Sequence, residues 1–387
     1  MSYFSIWPML AMVLVVIAVV SWPSPFGFLD ATPTGSAHRL ESLDGLRGLL
    51  AISVMFHHFV IKRWSIASGR WELPPSHFYA LLGQVGVAIF FMITGYLFWG
   101  KIQDQKGQTN WARLYINRFF RIAPLHILVL LIYLLAVLYR ARFHVGIPLS
   151  EMTMQWLRWI LYPGTPVLGD LMATNIVSQT WTLSYEWLFY LSLPVLAIFA
   201  TSRSALAICV TALLVILLFG NSGTDLNRYF LAQFLCGAVV ASLVRSYPKL
   251  QGDGPVRSLI AIAVLFLGFR VCDTAYATKA VLFFGIFFGF IASGTSLFGL
   301  LKISGTRRLG HASYSLYLLH GLVLTIVMAP STLGPYSNSS ARHFWEVAAL
   351  GFLCVVCLSM ISFRIVERGG IRLGKLFMAR LAPARPN

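Results

Sequence analysis

Arg47 and His58 stand eleven residues apart in the stretch SLDGLRGLLAISVMFHHF. Eleven helical steps of 100° come to about 1100°, so the two residues share a face within about 20° and lie about 16 Å apart along the axis. A neutral histidine in an apolar setting can take a proton from a hydroxyl, and a guanidinium at the helix mouth suits an anion. His57 points roughly 80° away from Arg47 on the same wheel. Asp44, three residues before Arg47, is spaced to pair with it. Taken alone, either histidine also fits a packed residue bonded to a carbonyl. Together with an in-face arginine and a lone acid at membrane depth, chemistry is the better reading.

That acid is Glu186, inside WTLSYEWLFYL; the other 12 of the 13 Asp and Glu fall in loops or at span ends. An ionisable group at membrane depth is costly and marks function by default. RLYINRFFRIAP adds Arg113, Arg118 and Arg121, with the last two on one helix face, a pattern suited to phosphate. Positive-inside anchoring accounts for them equally well. HASYSLYLLH sets Tyr314, Tyr317 and His320 at steps of three, a stripe that either lines a cavity or packs helices.

These residues need scaffolding of a particular kind. The chain of 387 residues is 58% hydrophobic and 11% charged, too little charge for a soluble domain. Runs of helix-spanning length recur instead, and lipid requires backbone groups to be satisfied within each segment. The expected architecture is an all-α integral membrane protein of about eleven transmembrane helices. The spans read as Ile6–Val20, Gly48–Ile61, Tyr79–Trp99, Ile122–Tyr139, Thr182–Ala200, Ser204–Gly220, Tyr229–Val244, Ser258–Val271, Ala280–Leu300, Ser313–Ala329 and Trp345–Phe363. No basic residue precedes the first, which reads as a retained helix and not a signal peptide.

The net charge of +17 forms no basic arm or aromatic-interleaved stripe, which excludes nucleic acid as the partner. Most of the Lys and Arg fall on one set of loops, including Arg118, Arg203, Arg245, Arg307 and Arg364. That side should be cytoplasmic, with the N-terminus outside and the C-terminus inside. The five cysteines include a CxxC, Cys354 and Cys357, within an apolar run and without a second pair, so no metal site is expected. The longest non-apolar stretch, Arg140 to Trp181, holds a short amphipathic piece, Met154–Tyr162, followed by PGTP.

Six stretches in order resemble the motifs of the membrane acyltransferase-3 family: SLDGLRGLLAISVMFHHF, GVAIFFMITGYL, RFFRIAP, TWTLSYEWLFYLSLP, LGHASYSLYLLH and FRIVERGG. They cover about residues 41 to 370. The resemblance implies a ten-helix acyltransferase core over 38–370, an additional N-terminal helix in 1–37 and a basic cytoplasmic tail at 371–387. It implies an enzyme of the inner or plasma membrane that moves an acyl group, most commonly acetyl, from acyl-CoA to a hydroxyl of an extracytoplasmic saccharide. By that resemblance Arg47 and His58 are the family's essential pair and Glu186 its buried acid; all three are expected to be catalytic, with Glu186 orienting the His58 imidazole. Arg118, Arg121 and Arg47 would hold acyl-CoA. Asp44, Trp181, Ser184, Tyr314, Tyr317 and His320 would contact substrate. The sequence departs from the pattern at Ala88, where the family usually has Asp, and at Gly369, where Pro usually follows the glutamate. The esterase-like domain fused to some members has no counterpart here. A transporter or flippase for a glycan or lipid explains the buried polar groups too, but not the arginine cluster, and no inverted repeat is visible. A structural subunit would tolerate loss of Arg47, His58 and Glu186.

Overall fold

The computed structural model describes residues 2–30, 41–140, 148–161, 178–219 and 226–381. Helices dominate, and no strand occurs among these residues. We label the principal ones α1 (Trp7–Ser21), α2 (Glu41–Ser68), α3 (His77–Asp104), α4 (Trp111–Arg140), α5 (Leu149–Leu161), α6 (Trp181–Ala200) and α7 (Ala205–Phe219). They continue as α8 (Leu226–Ser246), α9 (Pro255–Val271), α10 (Thr278–Ala292), α11 (Ser304–His311), α12 (Ser313–Val327), α13 (Ala341–Ser362) and α14 (Arg368–Leu381).

Six helical runs among the described residues are long and apolar enough to cross a bilayer: α2, α3, Trp111–Ala136, α6, α8 and Ala341–Arg380. Counting each bent pair as one span raises this to eight. One pair is α1 with Pro23–Leu29, bent by 99°; the other is α11 with α12, bent by 70°. Helices α7 and α10 are apolar but only 15 residues each, and α9 has 17. At 1.5 Å per residue these are about 22–26 Å long, short of a 30 Å hydrocarbon core. Eleven full-length spans are therefore not seen among the described residues. The described residues nonetheless make a multi-pass bundle whose outer faces carry large apolar side chains, such as Leu191, Val195 and Ile198 on α6.

Local chemistry sets the ends and the bends. Ser76 caps α3 by accepting from the Tyr79 N–H, and Ser340 caps α13 through His343, as hydroxyls do at helix starts. Pro194 within α6 removes the donor owed to the Tyr190 carbonyl, and the Tyr115 hydroxyl fills that role from α4 at 3.1 Å. Helix α8 packs tightly on α3, because Gly95 meets the Phe234 carbonyl and Gly237 meets that of Met92. A Cβ added at either glycine would stand 2.1 Å from that oxygen. Small residues allow such backbone approach in membrane bundles.

The N-terminal helix is tied to the bundle through α11. Arg308 donates to both Asp30 carboxylate oxygens, at 2.8 and 2.7 Å, and to the Val20 and Trp22 carbonyls. At the other end of the chain, the segment expected to be a basic tail is helical over Arg368–Leu381. Gly370 and Gly374 of α14 lie against Phe120 of α4. The amphipathic piece expected at 154–162 is part of α5, and Tyr162 and PGTP fall outside the described residues.

Candidate active site

Helix α2 runs from Glu41 to Ser68 without a break, so Arg47 and His58 occupy one rigid rod. Around its Arg47 end is a cavity of about 110 Å³. Arg47, Arg118, Arg121, Glu186, Tyr190, Tyr314 and Tyr317 line it, over a floor of Phe90, Phe91 and Phe98. Three guanidiniums thus face one lining carboxylate, an excess of positive charge inside apolar walls that attracts anions. Arg118 also stacks on Phe98, 4.8 Å from the ring centre. Glu186 accepts from the Tyr190 hydroxyl one turn along α6, and Tyr314 donates to the Ile122 carbonyl at 2.7 Å.

A second carboxylate stands behind the arginines; it lies in the FRIVERGG stretch of the family resemblance, which gave it no place in the site. Glu367 is 1% exposed and accepts from Ser315 Oγ. Arg121 and Arg47 both act on it electrostatically. Hydropathy puts Glu367 at a span end, but the backbone between α13 and α14 is a π-helical turn, Phe363–Glu367. A wide turn of this kind shifts the helix phase by one residue, which carries the side chain inward. The expectation that Glu186 alone among the acids lies inside is corrected accordingly; Asp44 is also buried, 3.6 Å from His311 Nε2.

His58 faces a separate, smaller cavity of about 10 Å³, lined by His58, Lys62, Trp71, Gln179, Gly321, Leu324 and Thr325. That is room for about one water. Its hydrogen bonds fix its tautomer. Nδ1 lies 2.9 Å from the Val54 carbonyl, which can only accept, so Nδ1 carries the hydrogen. Nδ1 of His320 likewise donates to Leu316 O at 3.2 Å. The bare Nε2 of His320 therefore accepts from His58 Nδ1–H at 3.1 Å, sharing that proton with the carbonyl. Nε2 of His58 keeps its lone pair. His320 is fully buried, with Tyr317 edge-on to it at 5.9 Å.

His57 is the structural histidine of the pair. It donates to the Tyr79 carbonyl at 2.6 Å and packs into the space left by Gly83 of α3. Trp181 sits in an aromatic cluster with Phe91, Tyr185 and Phe230. Neither Trp181 nor Ser184 is among the residues lining the two cavities.

A polar layer separates the cavities. The Tyr317 hydroxyl donates to the Gln179 carbonyl at 3.0 Å and contacts Thr182 Oγ1 at 3.0 Å, while Gln179 Nε2 donates to Leu318 O. Tyr317 and Thr182 face the arginines, and Gln179 faces His58. No cluster of three or more metal-ligating side chains occurs among the described residues.

The chain is thus a helical membrane bundle with an arginine-lined chamber at one end of α2 and a histidine further along it, and the family comparison assigns its class, the membrane acyltransferases. The model of the acyltransferase-3 domain matches residues 40–364, and the chain belongs to that family. Over 378 residues it is 25% identical to the acyltransferase MdmB of Streptomyces mycarofaciens, covering 86% of this chain and 89% of that one. It is 24% identical over 385 residues to the peptidoglycan O-acetyltransferase OatA of Listeria monocytogenes, covering 88% of this chain and 57% of that protein. The chain thus spans little more than half of OatA. No solved structure matches the chain.

Proposed function

We propose that this acyltransferase moves an acetyl group from acetyl-CoA to a hydroxyl of an extracytoplasmic saccharide, with His58 as general base. The observation that carries the reading is the arrangement along α2: an anion-attracting chamber around Arg47 and a lone-pair nitrogen on His58, about 16 Å further on. Arg47, Arg118 and Arg121 would bind the phosphates of the donor, which enters from the cytoplasmic side. The same topology puts the C-terminus in the cytoplasm. The O-acetyltransferase activity in the name of OatA favours acetyl, and its glycan polymer favours a saccharide acceptor.

In the reaction the acceptor oxygen forms a bond to the thioester carbonyl carbon as His58 Nε2 takes the hydroxyl proton. Collapse of the tetrahedral adduct breaks the C–S bond. The thiolate of CoA leaves, recovers the proton from His58, and the ester remains on the sugar. His320 accepts from Nδ1–H throughout and steadies the imidazolium, the part played by an acid in a catalytic triad. Glu186 bonds Tyr190 in the donor chamber, so its role here is to shape that chamber. The layer of Tyr317, Thr182 and Gln179 must open for the thioester to reach His58.

The test is transfer of labelled acetyl from acetyl-CoA to envelope glycan in membranes holding the protein, wild type against His58→Ala. Label with wild type alone supports the reading. Full activity in a folded His58→Ala protein refutes the base, and absence of both transfer and CoA binding would favour a transporter.

A further inference from the structure

The cavity at His58 contains three groups that base catalysis does not use. Lys62 follows His58 by one helical turn, so the two share a face about 6 Å apart along the axis. The residue as a whole is only 8% exposed, yet no Asp or Glu pairs with it among the described residues. A lysine whose stem is enclosed while its ammonium lacks a counter-ion among the described residues is placed to receive one from a ligand. Gln179 is 2% exposed. Its Nε2 is satisfied by Leu318 O, but its Oε1 has no hydrogen-bond partner. Trp71, half-buried in the loop after α2, holds its ring near-parallel to His58, at 22° and 6.3 Å between centres.

We infer that this cavity is the acceptor subsite and that it takes an anionic saccharide. It rests on the transferase reading. The volume admits one functional group, so the hydroxyl to be acylated enters toward His58 and Gln179 Oε1 accepts a hydrogen bond from it or its neighbour. The sugar ring stays at the mouth, its C–H face on Trp71, an aromatic surface that supplies large apolar contact. Lys62 then pairs with a carboxylate or phosphate on that sugar, which supplies the missing counter-ion. Lys62 and Trp71 lie on the opposite side of His58 from Arg47, which separates them from the phosphates of the donor.

The experiment offers envelope glycan from the expressing cells in three forms: native, carboxyl-reduced and dephosphorylated. Labelled acetyl transfer is measured with wild type, Lys62→Met and Lys62→Arg. Wild type should use one of the two neutralised glycans about tenfold less well, through KM, a loss the size of one charged hydrogen bond. Which one fails names the anion. Lys62→Met should lose the preference and Lys62→Arg keep it, with half-saturating acetyl-CoA the same in all three proteins. Equal use of all three glycans by wild type, or an intact preference in Lys62→Met, overturns the anionic subsite and leaves the transferase standing. No transfer to any form, with no CoA bound, removes the transferase and this subsite together. If Lys62→Met fails to insert, the wild-type comparison alone still decides.

Discussion

Nε2 of His320 accepts the Nδ1–H of His58 across 3.1 Å, so one imidazole holds the other with its Nε2 bare. His58→Ala should lower kcat by the 10²–10⁴-fold typical of a lost general base. His320→Ala should cost about tenfold, the worth of one orienting hydrogen bond, in kcat and not in KM. Steady-state acetyl transfer by the two variants checks both, and a His320→Ala enzyme with unchanged kcat would remove the orienting role.

Arg118 and Arg121 line the cavity around Arg47, so on the proposed reading their loss should appear in donor binding. Arg121→Ala should raise half-saturating acetyl-CoA tenfold or more, as expected for one charged hydrogen bond to phosphate. Arg121→Lys should recover part of it, because an ammonium keeps the charge but not the fork. Titration of acetyl-CoA against detergent-solubilised protein measures this directly.

Glu367 is buried beside Arg47 and Arg121. Glu367→Ala would leave those guanidiniums short of a counter-charge and should destabilise the bundle by about 3–5 kcal/mol. Glu367→Gln retains the Ser315 contact and should cost less. Thermal unfolding in detergent ranks the variants; equal midpoints would show that Glu367 does not stabilise the arginines.

The close approach of α3 and α8 makes Gly95 and Gly237 sensitive positions. With 2.1 Å between an added Cβ and a backbone oxygen, Gly237→Val must push the helices apart. Overpacking of this kind costs about 1–3 kcal/mol, read as a lower thermal midpoint. Gly252→Ala, at a position with open space, is the control and should be neutral.

Asp30 ties the N-terminal segment to Arg308. The hydrogen-bonded guanidinium holds its carboxyl below the ordinary value near 3.8. A depressed carboxyl contributes stability above its unfolded pKa and loses it as pH falls through the folded one. The N-terminal helix should therefore resist proteolysis from pH 5 to 8 and loosen below about pH 4. Asp30→Asn should loosen it at pH 7, and no change in cleavage between the two proteins would rule out the tether.

The Arg47 and His58 relationship was legible in the sequence because it is local: a helix fixes the phase of two residues within three turns. The stripe of Tyr314, Tyr317 and His320 was legible for the same reason, though which imidazole His320 serves depends on how α2 meets α12. The FRIVERGG motif marked Glu367, but its burial beside the arginines was not legible, since a π-helical turn leaves no hydropathy signal and depends on packing around it. The span read as Gly48–Ile61 stops short of Lys62 because apolar composition ends there, whereas α2 continues to Ser68. Charge marks where lipid-like composition ends, not where a helix ends. The sharp bends after α1 and α11 were hidden too, because apolar runs look the same straight or folded over.

The layer of Tyr317, Thr182 and Gln179 has a consequence for the cell as well as for the reaction. On the proposed reading, a donor entering from one side and an acceptor from the other would leave protons and ions a path between the two cavities. Tyr317, Thr182 and the Gln179 carbonyl hydrogen-bond to one another between them. Kept closed between turnovers, such a layer would let the membrane hold its voltage while only the acyl chain passes.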